Sequence, residues 1–220
     1  RHKIFNGKFI IDGKEKKESL FDLIKNTSKA NKNGIVSAYS DNVAFIEGPN
    51  IVQFQPQFPD KSSFYINKEI DSIISLKAET HNFPTTVEPY NGAATGSGGE
   101  IRDRASGGTG SIPLIGSAVY MTPYSRLDNN KEWEKNISER IWKYQTPVDI
   151  LVKASNGASD FGNCFGQPLI VGSLFTFEHN ENNNLQSFDK VIMLAGGVGF
   201  GELSQAMKRT PKKGDIIVLL

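Results

Sequence analysis

Five side chains suited to holding a phosphorylated ligand lie between residues 77 and 103: Lys77, Glu79, His81, Arg102 and Asp103. Magnesium takes one or two carboxylates together with phosphate oxygens. Lysine and arginine then neutralise the remaining phosphate charge. Glu79 stands near Lys77 and Asp103 beside Arg102, so the set fits a magnesium–nucleotide site. A surface loop tied by salt bridges has the same composition, and residue types alone leave both readings open. His81 is either a general base active near neutral pH or a turn histidine satisfied by backbone groups. Seven of the 21 glycines fall between residues 77 and 110, where they let backbone approach a charged ligand. Where such a segment opens a helix, its free N–H groups bind further oxygens.

Other signatures are missing. No GxxxxGK[ST] run occurs, and Gly196 to Gly201 does not fit GxGxxG. No His/Cys cluster has zinc spacing. Cys164 reads as a small buried thiol rather than a nucleophile. His179 lies in an Asn/Glu-rich, solvent-facing turn, and spacing says nothing about His2.

The elements that position these groups follow from periodicity. Alternation over Asp71 to Glu79 predicts a strand that delivers Lys77 and Glu79 to the same side. Pro84 and Pro89 predict an extended or looped segment after it. Ala93 to Ala105 reads as a helix despite Gly96, Gly98 and Gly99. Each interior glycine costs about 1 kcal/mol relative to alanine, so close packing or a ligand must compensate roughly 3 kcal/mol. Upstream, Phe9-Ile10-Ile11 reads as a short strand, and Ser19 caps a helix that stops near Asn33–Gly34. Residues 35–39, 43–47 and 51–54 read as three short strands parted by turns. Downstream, strands are expected at 112–121, 169–177 and 190–195, and a helix at 147–156. Residues 128–141 form a polar excursion, 156–166 a loop and 180–184 a polar turn. Gly196 to Gly201 punctuates the chain before a short helix at 202–208 and a final strand. Mixed strands and helices predict an α/β or α+β fold.

With 220 residues, 38% hydrophobic and 22% charged, the chain can bury a sizeable core. A net charge of +1 gives no bulk drive toward nucleic acid or an anionic membrane. No apolar run approaches the roughly 18 residues of a membrane span. A single cysteine cannot form an internal disulfide, which points to a reducing, cytoplasmic home. The start at Arg1 and the apolar end at Leu220 read as a piece cut from a longer polypeptide.

The run KAETHNFPTTVEPYNGAATGSGGEIRD, Lys77 to Asp103, closely resembles the signature of the phosphoribosylformylglycinamidine synthase (FGAM synthase) family in its large, single-chain form. RHKIFN at the start, Asn156 to Gly166 and VIMLAGGVG at 191–199 are similar to other family segments. The 12-residue GAATGSGGEIRD run is the most specific part of the match. Phe83 stands where the family carries a second histidine, and Gly172 to Phe177 lacks the family's arginine.

The resemblance implies an α+β fold of the aminoimidazole ribonucleotide synthetase-like superfamily: a mixed sheet forming half of a barrel, with helices outside. It implies a ligase of purine biosynthesis, a glutamine amidotransferase with Mg2+ and ATP. The amide oxygen of formylglycinamide ribonucleotide would be activated by ATP as an iminophosphate, and glutamine-derived ammonia would then displace it as phosphate. Carried over by residue, Glu79 and Asp103 would bind magnesium, and His81 would be the catalytic base. Thr80, His81, Asn82, Phe83 and Arg102 would contact the substrate. ATP would lie against His2, Lys77 and the run Gly92, Ala93, Ala94, Thr95, Gly96, Ser97, Gly98, Gly99, Glu100, Ile101, Arg102 and Asp103. Residues 1–188 would form the N-terminal synthetase subdomain, and 189–220 the start of the C-terminal one. The partners implied are the remaining domains of the full-length synthase and, for the isolated segment, a second copy of itself; alone it would be inactive. Two alternatives are a noncatalytic nucleotide-binding or assembly domain and a sister ATP-dependent enzyme. Having Lys77, Glu79, His81, Arg102 and Asp103 together favours the catalytic reading.

Overall fold

The computed structural model describes residues 2–127, 131–135 and 137–219. Two compact units divide between Val36 and Ser37. The first holds helix α1 (His2–Phe5), the two-residue strands β1 (Ile10–Ile11) and β2 (Lys14–Glu15), and helix α2 (Leu20–Ala30). Ser19 caps α2 through a reciprocal pair with Asp22, and the helix ends at Ala30, short of the expected Asn33–Gly34 stop. A short strand, β3 (Ile35–Ser37), spans the boundary.

The second unit runs through β4 (Ala44–Pro56), β5 (Tyr65–Thr80), α3 (Asn82–Val87), α4 (Pro89–Ala105) and β6 (Ile112–Thr122). It continues with α5 (Pro147–Cys164), β7 (Leu169–Thr176), β8 (Glu178–Glu181), β9 (Asn184–Ser187) and β10 (Ile192–Glu202). Its main sheet has the order β4-β5-β10-β6-β7, antiparallel except for the parallel β6–β7 pair. The sheet is therefore mixed. The segment after residue 189 carries β10, the strand between β5 and β6.

Several local expectations are corrected by packing. Gly48–Pro49 is not a turn. It is a bulge inside one long β4, where the pairing shifts between Glu47 and Asn50. The prolines after β5 do not keep the chain extended. Pro84 falls in the first turn of α3 and Pro89 opens α4, places where an amide has no intrahelical acceptor. The loop expected at 156–166 is helix through Cys164, because Gly157 and Gly162 let the backbones of Tyr90 and Gln167 come close. Gly196 to Gly201 lies inside β10, and the short helix expected next is a single 3₁₀ turn at Leu203–Gln205. The polar turn at 180–184 is the tip of the β8–β9 hairpin, with Asn182 and Asn183 both at positive φ. Residues 216–219 form no strand. Cys164, the last residue of α5, is exposed rather than buried. Part of the polar excursion at 128–141 lies outside the described residues. Beside it, Arg126 forks onto Glu178 with hydrogen bonds of 2.7 and 2.8 Å.

The core lies between α4, α5 and one face of the sheet. Ala93, Ala154 and Ala158 from the helices meet Ala118, Tyr120, Met193 and Ala195 from β6 and β10. Burial raises the Tyr120 hydroxyl to a pKa of about 12. Small residues set the helix–helix distance. A Cβ at Gly157 would lie 2.7 Å from the Tyr90 carbonyl carbon and 2.9 Å from its Cα. Gly157→Val should therefore destabilise the unit by about 2–3 kcal/mol through overpacking. Denaturant unfolding reads this directly, and an unchanged midpoint would mean the α4–α5 contact is looser than described. The opposite face of the sheet, with Ile74, Leu76, Val119, Leu194 and Val198, is apolar and clear of α3, α4 and α5. Among the described residues, no helix is long and apolar enough to cross a membrane.

Candidate functional site

Strand alternation puts Lys77 and Glu79 on the helix-covered face of β5. On α4, residues 92, 96, 99 and 103 recur at spacings of four, three and four and so share one helical stripe. That stripe runs back along the end of β5 and the residues after it. A Cβ at Gly92 would lie 2.5 Å from the Pro84 carbonyl carbon. One at Gly96 would lie 2.9 Å from the His81 Cβ, and one at Gly99 would be 3.5 Å from Glu79 Cγ. The next step of the stripe is Asp103, whose Oδ2 sits 2.8 Å from Lys77 Nζ. Strand and helix therefore meet in three rungs: 81 with 96, 79 with 99, and 77 with 103. Two residues of strand span about 6.6 Å, and three or four of helix span about 4.5–6 Å, so the rungs stay nearly in step.

Lys77 joins two carboxylates. Its ammonium is 3.3 Å from Glu79 Oε2 and 2.8 Å from Asp103 Oδ2. Partial burial works against its charge, but the hydrogen bond and charge of Asp103, with those of Glu79, outweigh it and raise the Lys77 pKa. The other Glu79 oxygen accepts the Thr80 N–H at 3.2 Å. Two carboxylates thus converge on one cationic centre, the Lys77 ammonium. That donor set fits magnesium, with Glu79 and Asp103 as the side chains that would hold it.

His81 follows Thr80 directly and precedes α3. Its N–H bonds the Met193 carbonyl at 3.1 Å, and its carbonyl accepts the Thr85 hydroxyl. Its imidazole does not cap the helix. Asn82 is tied to β10, its side-chain oxygen accepting the Met193 N–H at 3.0 Å. Phe83 is exposed and meets Tyr144 edge-on, beside a cleft of about 330 Å3 shared with Trp142, Lys143 and Lys190.

The structure thus gathers Lys77, Glu79 and Asp103, and sets His81 against the same helix stripe. It places Arg102 in solvent on the neighbouring surface of α4, and His2 in the first unit. Of the run 92–103, Thr95 and Arg102 are exposed, and Ala94, Gly99 and Asp103 half-buried. Gly92, Ala93, Gly96, Ser97, Gly98, Glu100 and Ile101 are buried in the helix packing. Sequence reasoning passed over Arg104 and Gln167, both fully enclosed beside Glu100. The spacing of Glu100 and Arg104, four apart on a helix, is the signal that pairs them.

No family model matches the chain. The phosphoribosylformylglycinamidine synthase of Dictyostelium discoideum is 36% identical over 220 residues, which cover 99% of this chain and 16% of that protein. The chain thus spans only a small part of the relative's length. Among solved structures, T. maritima PurL complexed with ATP superposes with a TM-score of 0.52 at 12% identity, over 86% of this chain and 25% of that one. It shares the fold. T. maritima PurL complexed with FGAR is 25% identical over 60% of this chain and 17% of that one, with a TM-score of 0.37. Along nearly all of its length, the chain is similar to one stretch of that long phosphoribosylformylglycinamidine synthase polypeptide.

Proposed function

We propose that this segment supplies the ATP-binding half of a synthetase site that makes the amidine from formylglycinamide ribonucleotide. The observation that carries the reading is the convergence of Glu79 and Asp103 on one cationic centre at Lys77. Magnesium bound there would neutralise the phosphate oxygens of ATP. Lys77 then exchanges its carboxylate partners for phosphate. Arg102, free to reach from the surface of α4, holds the substrate, with the backbone of residues 80–83 beside it. His81, next to the metal ligands in sequence, takes the proton as ammonia displaces the phosphorylated amide oxygen. The buried members of 92–101 shape the platform. ATP cleavage in the intact protein should therefore require both formylglycinamide ribonucleotide and an ammonia source. ATP cleavage indifferent to that substrate would sink the reading.

The half-buried apolar face of the sheet away from α4 and α5, with the outer edge of β7, favours a half-barrel completed by a second, similar sheet. In the intact polypeptide another domain supplies it; the isolated segment should pair with itself. Sedimentation of the 220-residue chain should show dimer at high concentration, and monomer alone would count against the half-barrel.

A further inference from the structure

Lys77, Gly197 and Gly116 are direct neighbours across β5, β10 and β6. The two glycines leave a trough across the sheet at the level of Lys77. Glu100 and Arg104 of α4, both 0% exposed, lie in it, and Arg104 Nε donates to Glu100 Oε2 at 2.7 Å. Gln167, reaching in from the turn before β7, closes a ring: it accepts from Arg104 Nη2 and donates to Glu100 Oε1. The trough is cut to this ring. A Cβ at Gly197 would lie 2.6 Å from Glu100 Oε2, one at Gly199 3.0 Å from Arg104 Nη1, and one at Gly116 2.8 Å from Gln167 Nε2.

We propose that Arg104, locked by Glu100 and Gln167, is a positioning residue for the metal–nucleotide site: the ring fixes the rotation and height of α4 and so the reach of Asp103 to Lys77 and Glu79. The inference rests on the site reading given above. Asp103 and Arg104 are adjacent on the helix and point to adjacent strands, one to Lys77 and the other over its cross-strand partner Gly197. Any turn of the helix about its axis moves both. Stability alone does not account for the ring. A buried ion pair is often no more stabilising than apolar side chains of the same volume. Here Arg104 Nη1 is also buried without a hydrogen-bond partner among the described residues. What directional hydrogen bonds supply, and apolar packing does not, is a fixed orientation.

The test uses the full-length protein and a triple variant, Glu100→Leu, Arg104→Met and Gln167→Leu, which fills the trough with apolar groups. Thermal unfolding reads the fold, and Mn2+ binding in the presence of a non-hydrolysable ATP analogue reads the site. The expected result is a preserved unfolding midpoint with Mn2+ affinity weakened about tenfold or more. Adding Asp103→Asn to the triple variant should then cost far less than it does alone. A preserved midpoint with wild-type Mn2+ affinity would overturn the proposal and leave the ring as packing. If the triple variant does not fold, Gly197→Ala decides on the same two readouts, since it keeps all three side chains and presses one methyl into the ring. Asp103→Asn in the unaltered background separates the two levels: no loss of Mn2+ affinity there removes the site reading itself, and the role of the ring with it.

Discussion

Asp103→Asn should lower turnover of the full-length protein by about 10²-fold and raise the magnesium needed for half-activity. The replacement is isosteric, so the stripe formed by residues 92, 96, 99 and 103 keeps its packing. What changes is charge. One of the two carboxylates converging on Lys77 becomes neutral, and the 2.8 Å ion pair is lost. Lys77 keeps only Glu79, at 3.3 Å. A metal placed there would have one charged ligand, and the phosphate charge would lack its counterweight. A magnesium titration under single-turnover conditions separates this from a folding defect, because added metal should recover part of the rate. An unaltered magnesium response would remove Asp103 from the site even with the family resemblance intact.

His81→Ala is expected to behave differently. Turnover should fall by about 10²- to 10⁴-fold, with nucleotide affinity nearly unchanged, because a general base acts in the transition state. Packing favours a clean experiment. The contact with Gly96 is made by the His81 Cβ, which alanine retains, and the hydrogen bonds of residue 81 to Met193 and Thr85 use its backbone. Equilibrium binding of a non-hydrolysable nucleotide, beside the single-turnover rate, tests both halves. Normal turnover would leave His81 a turn residue held by its backbone hydrogen bonds alone.

How much of this was legible in the sequence depended on range. Strand alternation placed Lys77 and Glu79 on one side, because that rule needs only neighbours. The helix over 93–105 was legible for the same reason, and so was the need for something to compensate its glycines. That the compensation is contact with Glu79, His81, Met193 and Phe161 was not, since those partners come from other elements. Long range defeated the reading of β10. Gly196 to Gly201 looks like punctuation until Glu100 and Arg104 are laid over it. Pro84 and Pro89 misled because a proline rule for extended chain gives way when the residue falls in a helix's first turn. Cys164 misled because the loop expected around it is helix, whose last residue faces out.

The position of β10 bears on how the polypeptide is made. Residues 192–202 sit between β5 and β6, yet both of those strands leave the ribosome first. Until β10 emerges, β5 and β6 have no common neighbour, and the trough that receives Arg104 has no floor. The nascent chain therefore exposes two strand edges while the residues up to 192 are synthesised, a state prone to pairing with the wrong partner. Closure depends on contacts of large sequence separation and should be slow relative to the formation of α4 and α5. A ribosome pause before β10 has cleared the exit tunnel would prolong that exposure, whereas a later pause would follow the insertion of the strand that unites the sheet.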